Sequence, residues 1–298
     1  MLTDMKTSLG KPLAREVPEE ETWDIEITAK PGLLDVDLRE LWSYRDLVAQ
    51  FVRRDFVGAY KQTVLGPLWH LLEPLVTTIT YAIIFGAIAQ ISTNGLPRIL
   101  FYMSGLTLWT LFSNTLLSGS STFASNAGVF GKVYFPRLVV PIASTINNMI
   151  AFAFQFSLLL VLIVVYYVAG ADIHITWYAL LTPVVILMVG LLGYGLGTLI
   201  SPLVTHYRDL GKLLSVSMKL LMFATPIIYP LSKVPERYRW IMELNPMATV
   251  VEMFRYIWFG VGTFSPASLV YTGIFTLVVA VWGSLVFSKG EKTAMDVV

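Results

Sequence analysis

Six apolar runs, at 68–91, 99–117, 138–169, 177–200, 213–229 and 269–287, constrain this chain more than any other feature. Each comes close to the roughly 20 apolar residues that a helix needs to cross a hydrocarbon layer. A lone spanning segment must satisfy its own backbone, so helices are the form they dictate. The expected fold class is all-α: an integral membrane protein with six transmembrane helices. Gly66-Pro67 supplies helix-start chemistry for the first run, and Glu73-Pro74 lies near its inner end. The third run exceeds what a crossing requires and is expected to tilt or project. Tyr166, Tyr167, Trp177 and Tyr178 flank the start of the fourth as an interfacial aromatic belt.

Composition agrees. Of 298 residues, 55% are hydrophobic and only 14% charged, against roughly 25% charged in a soluble domain. Of the 41 charged side chains, 21 fall within residues 1–61, so a polar head precedes a membrane body. Residues 1–37 are acidic and contain proline, with no apolar core of signal-peptide length. They are expected to form a flexible cytoplasmic segment. Residues 38–56 alternate differently: Leu38, Leu41, Trp42, Val48, Phe51, Val52 and Phe56 share one helical face. Arg39, Ser43, Asp46, Gln50, Arg53 and Arg54 lie opposite, the pattern of an amphipathic helix in the membrane interface. The absence of cysteine excludes disulfides and thiolate chemistry. A net charge of +1 gives no sign of a nucleic-acid partner.

Basic residues set the orientation. With the N-terminus inside, six crossings within 64–288 place Lys132, Arg137, Arg208, Lys212, Lys289 and Lys292 on the cytoplasmic side. The outer loops before Pro230 then carry only Arg98, and 289–298 becomes a cytoplasmic tail. Residues 230–262 resist this count, because their apolar part, 247–259, is short and carries Glu252 and Arg255 at i,i+3 spacing. A seventh crossing would move Lys289 and Lys292 outside. The stretch 233–259 is therefore read as two short re-entrant helices on the outer side, turning at Asn245-Pro246.

Catalytic chemistry has no foothold. His70, His174 and His206 are dispersed, which argues against a metal site. GVFGK at 128–132 lacks the spacing of a phosphate loop, so no nucleotide site is expected in this chain. Only Glu73 and Lys219 are ionisable within the apolar runs, too few for an ion-coupled carrier, so any driving energy must arrive from elsewhere. Gly193 and Gly197 form a GxxxG pair for close helix packing, either within one subunit or between two. Tyr81, Phe85, Tyr102, Trp109, Phe112, Tyr194 and Tyr229 are candidates to stack on sugar rings along a path, with core packing as the alternative. Between the second and third runs lies SNAGVFGKVYFPRLVVP, 125–141, an amphipathic break expected to hold a short cytoplasmic helix at 125–136.

Several blocks carry a resemblance. LRELWSYRDLVAQFVRRDFVGAYKQTVLGPLWHLLEP from Leu38, NAGVFGKVYFPRLVVP, ATPIIYPLSKVPERYRWIMELNPMATVVEMFRYIWFG and the ending VFSKGEKTAMDVV together resemble the permease subunit of bacterial polysaccharide ABC exporters. Gly58-Ala59 departs from the pattern, since a basic residue is expected there. The resemblance implies a homodimer in the inner membrane, with both termini cytoplasmic, exporting a lipid-linked polysaccharide such as O antigen on undecaprenyl pyrophosphate. It also implies two copies of a separate ATPase, which would hold the ATP and magnesium; this chain would carry no cofactor. Coupling to that ATPase would fall to Asn126, Val129, Phe130, Lys132, Val133, Tyr134 and Arg137, with Arg208 and Asp209 as a smaller contact. Arg53, Arg54 and Lys61 would meet the pyrophosphate, and Asn245, Pro246, Glu252 and Arg255 would belong to an outer gate. A drug efflux permease of the same superfamily is the alternative. A membrane-embedded transferase is a third class, for which acidic or histidine clusters at a membrane face are lacking.

Overall fold

The computed structural model of the protein describes residues 38–294, with the side chains of Leu38, Arg208 and 291–294 outside that description. The expected flexible segment 1–37 and the tail residues 295–298 lie outside it too. The described residues form helices and connecting turns, without a strand. In chain order they are α1 (Leu38–Ser43), α2 (Arg45–Tyr60), α3 (Trp69–Tyr81), α4 (Arg98–Ser120), α5 (Thr122–Phe130), α6 (Val139–Val168), α7 (Thr182–His206), α8 (Arg208–Phe223), α9 (Glu236–Glu243), α10 (Pro246–Phe259) and α11 (Pro266–Ala294). A 3-10 turn, Gly66–Leu68, leads into α3, and a π-helical segment, Ala82–Ile88, extends it. Another 3-10 turn, Trp177–Leu181, leads into α7.

Among the described residues, four segments are long and apolar enough to cross a membrane: Gly66–Ile88, Val139–Val168, Trp177–His206 and Pro266–Gly290. The run expected at 99–117 becomes α4, whose 23 residues have the length, but whose serines and threonines dilute its hydropathy. It is the central helix, with 16 of those 23 residues buried. Ser104 and Thr107 satisfy their hydroxyls by donating to the carbonyls of Phe101 (2.9 Å) and Met103 (2.7 Å) one turn back. The run expected at 213–229 departs further. Its helix, α8, starts at Arg208 and stops at Phe223, and Ala224–Pro230 makes turns. At 1.5 Å per residue its 16 residues rise about 24 Å, short of the roughly 30 Å of a hydrocarbon core.

Glycine decides where α4, α7 and α11 meet. A Cβ on Gly193 would lie 2.9 Å from the Phe112 carbonyl oxygen, one on Gly197 2.7 Å from that of Leu116, and one on Gly195 2.6 Å from the Ala280 nitrogen. The GxxxG pair therefore packs α7 on α4 inside one subunit, and Gly195 seats α11 on the neighbouring face.

Two groups of loops are each bound together. At one end, Asn94 Nδ2 donates to Ser232 Oγ at 3.1 Å, and Thr176 Oγ1 donates to the Ile257 carbonyl at 2.7 Å. Gly260, in the left-handed conformation that ends α10 (φ 67°), lies against His174 there. At the other end, Phe51, Phe123, Phe130, Phe135 and Phe287 bring α2, α5, the start of α6 and the end of α11 into one apolar cluster. An aromatic joint, Tyr60–His70 at 5.2 Å and His70–Phe154 at 5.9 Å, ties α2 to α3 and α6.

Candidate functional site

Residues 121–137 form an elbow joining α4 to α6. It is built around ring contacts: Phe123 stacks on Phe287 at 4.4 Å, Phe130 meets Phe135 at 5.8 Å, and Phe135 meets Phe51 at 5.6 Å. The Arg137 guanidinium sits over the Phe130 ring at 5.4 Å. Asn126 breaks the helical dihedrals of α5 (φ −119°, ψ 15°) and its amide donates to the Thr122 carbonyl at 3.0 Å. The short helix expected at 125–136 instead spans 122–130, because Gly131 and the approach to Pro136 cannot extend it.

Phe130 was expected to seat in a partner's groove, but it is 7% exposed and belongs to the subunit's own aromatic cluster. Val129 packs partly against the same cluster. The large side chains exposed on the elbow are Lys132, Val133 and Tyr134, the last two 61% and 63% exposed. The exposed valine and tyrosine sit beside the packed aromatic cluster that joins α2, α5, α6 and α11. Asp209 is exposed near the start of α8; Arg208, its expected companion, has a side chain outside the described residues.

The basic residues of α2 do not converge. Arg54 donates to Asp55 at 2.7 Å and covers the Phe51 ring at 4.3 Å. Arg53, about 100° around the helix from it, borders an apolar groove between α2 and α6. Lys61 is exposed just beyond the end of α2.

Four of the aromatic candidates are packing residues. Tyr102, Trp109 and Phe112 are buried in the main core, and Tyr194 is buried with its hydroxyl 2.9 Å from Ser284 Oγ. Tyr81 and Phe85 are half-buried, 5.2 Å apart, and Tyr229 donates to the Phe223 carbonyl at 2.9 Å.

At the other end, Asn245 caps α10 by accepting from the Met247 amide at 3.0 Å, with Pro246 at the first helical position. Its amide donates to Thr225 Oγ1 at 3.0 Å. About two turns on, Glu252 and Arg255 form a buried clasp, each 1% exposed. Arg255 Nη1 donates to the Pro226 carbonyl (2.6 Å) and Glu252 Oε1 (3.3 Å), and Nη2 to the carbonyls of Ile227 (2.9 Å) and Phe101 (3.3 Å). Its guanidinium lies over the Phe101 ring at 3.7 Å. Glu252 in turn accepts from the amides of Leu231 (3.3 Å) and Thr263 (2.9 Å). The i,i+3 spacing announced the pair; the backbone groups around it have no residue signature. Of α10's 14 residues 11 are buried, whereas α9 buries none. Within the pair, α10 is the buried helix and α9 the exposed one.

His70 lies in its aromatic joint, His174 contacts Asp172 at 3.0 Å, and His206 packs on Tyr207. Among the described residues no group of three metal-ligating side chains gathers.

Residues 47–259, from α2 through the last turn of α10, match the sequence model of a family described as ABC-2 type transporter. The chain belongs to the ABC-2 type transporter family. Its relatives include an O-antigen export system permease protein of Myxococcus xanthus, 30% identical over 224 residues that cover 74% of this chain and 84% of the relative. A protein of the same description from Klebsiella pneumoniae is 27% identical over 247 residues, covering 82% and 92%. A polysialic acid transport protein of Escherichia coli is 27% identical over 238 residues, covering 78% and 88%.

Proposed function

We propose that this chain is the channel-forming permease subunit of an ABC transporter that exports a lipid-linked polysaccharide across the bacterial inner membrane. The observation that carries this is the similarity to permeases described as exporting O antigen, at 74–82% coverage of this chain. A separate ATPase, binding ATP and magnesium, supplies the drive; two copies act on a homodimer of this subunit. The carrier is undecaprenyl pyrophosphate.

In this reading the end with the aromatic cluster faces the cytoplasm, as do both termini. The segments centred on α3, α4, α6, α7 and α11 cross, as does 208–230, in which the short α8 covers most of the depth and the turns at 224–230, held by Arg255, complete it; α9–α10 enter the outer leaflet and return. The absence of a helical crossing between Pro230 and Gly262 then leaves Lys132, Lys212 and Lys289 on the inner side. ATP-driven movement of the partner presses on Val133 and Tyr134. The ring contacts from Phe130 to Phe135, Phe51, Phe123 and Phe287 pass the displacement to α2, α6 and α11 together. The glycine-tight α4–α7–α11 unit moves as one body, because packed interfaces shift between discrete arrangements rather than deforming. Outside, α10 is held by the Glu252–Arg255 clasp, so α9 is the mobile part of the gate.

Deleting this subunit in its native host tests the proposal: undecaprenyl-linked polymer accumulates on the cytoplasmic face and disappears from the cell surface. Normal surface polymer in the deletion strain overturns it.

A further inference from the structure

A groove of about 830 Å³ runs between α6 and the pair α1–α2, into which the single helix expected at 38–56 divides at Tyr44, apart from the elbow. Trp42, Val52 and Phe56 form one wall and Ile142, Ile146 and Ile150 the other. Two side chains on its rim are charged, Arg45 and Arg53, both exposed and neither in an ion pair with a described residue. They stand eight residues apart on α2, about 12 Å along the axis.

We infer that this groove holds an acyl chain of an anionic glycerophospholipid of the cytoplasmic leaflet, with Arg45 and Arg53 receiving its phosphate-bearing head. Three observations converge on that occupant. The walls are apolar and continuous with the surface that an interface helix presents to lipid. Both rim charges are cations, complementary to the anionic inner leaflet, where each contributes about 1 kcal/mol to lipid attraction. Trp42, 71% exposed at the groove mouth, is the aromatic type that settles at head-group level. A resident lipid here would brace α2, whose other face carries Phe51 of the aromatic cluster. The inference rests on the cytoplasmic placement of α2 proposed above.

Native mass spectrometry of the purified full chain, titrated with phosphatidylglycerol or phosphatidylcholine, tests it without any export assay. Wild type retains phosphatidylglycerol in preference to phosphatidylcholine. Arg45→Gln with Arg53→Gln lowers that retention roughly 25-fold, two such contributions at 1.4 kcal/mol per tenfold. Ile146→Trp, which fills the groove and leaves both charges, abolishes retention of either lipid at unchanged elution volume. Equal retention of the two lipids, or retention unaffected by both variants, overturns the inference. So does co-purification of a polyprenyl-linked lipid in place of the glycerophospholipid. A gain of lipid on deleting residues 1–37 assigns the groove to that segment and also overturns it. Because retention is read on the isolated chain, a negative result here leaves the exporter reading standing, and failure of export leaves the lipid result interpretable.

Discussion

The Glu252–Arg255 clasp offers a quantitative test, because a buried pair fails differently according to which partner is removed. Arg255→Met keeps the bulk but removes the cation. Glu252 is then left 1% exposed with only the Leu231 and Thr263 amides to balance its charge, and the carbonyls of Pro226 and Ile227 lose their donor. Breaking a buried pair from one side costs about 3–5 kcal/mol, and orphaned buried carbonyls place this variant at the upper end. Glu252→Gln is milder, since Arg255 keeps three carbonyl acceptors. Its amide nitrogen must nonetheless face one of two backbone donors. In the double variant neither charge is stranded. Its loss falls short of the sum of the single losses by at least about 1 kcal/mol, within the usual range for residues in one network. The assay is equilibrium unfolding in mixed micelles, followed by tryptophan fluorescence for the four proteins of the cycle. Losses that add within about 0.5 kcal/mol, or an Arg255→Met variant as stable as wild type, would refute the clasp as a structural anchor.

Gly195→Ala places a methyl 2.6 Å from the Ala280 backbone nitrogen and costs about 1–3 kcal/mol by overpacking, whereas Gly273→Ala, with nothing within 4 Å, is neutral; thermal unfolding in detergent separates them. Equal stabilities would mean that α7 and α11 are not in backbone contact. Reporter fusions after Ser232 and after Gly262 both read as external if α9–α10 return to the side they left; opposite readings break the six-crossing topology.

The sequence made the membrane class and the start and stop signals legible, for reasons that are local. Apolar length gave α6, proline and glycine gave the onset at Gly66-Pro67, and Asn245-Pro246 gave the cap of α10. What it hid is what depends on partners distant in the chain. Phe130 looks like a surface knob in an amphipathic segment; its burial comes from Phe123, Phe135 and Phe287, and no periodicity within the elbow encodes that. The apolar text of 213–229 carries no mark for Phe223 as the end of α8, because its last residues fold back as turns held by Arg255. Trp109 and Phe112 have the same composition as a sugar-stacking path, and only the close approach of α4 to α7 assigns them to packing. The GxxxG pair was ambiguous between intra- and intersubunit contact until Phe112 and Leu116 supplied the opposing backbone.

The central claim is that drive enters at the surface of the elbow. Its most direct test is ATP-dependent transfer of lipid-linked polymer in proteoliposomes containing this subunit and its ATPase, comparing wild type with Val133→Asp/Tyr134→Asp. Both residues are exposed; in a double variant that elutes and unfolds like wild type, ATPase co-purification and transfer fall at least about tenfold, the effect of losing about 1.4 kcal/mol at an interface. Transfer at the wild-type rate by a correctly folded double variant would contradict the account.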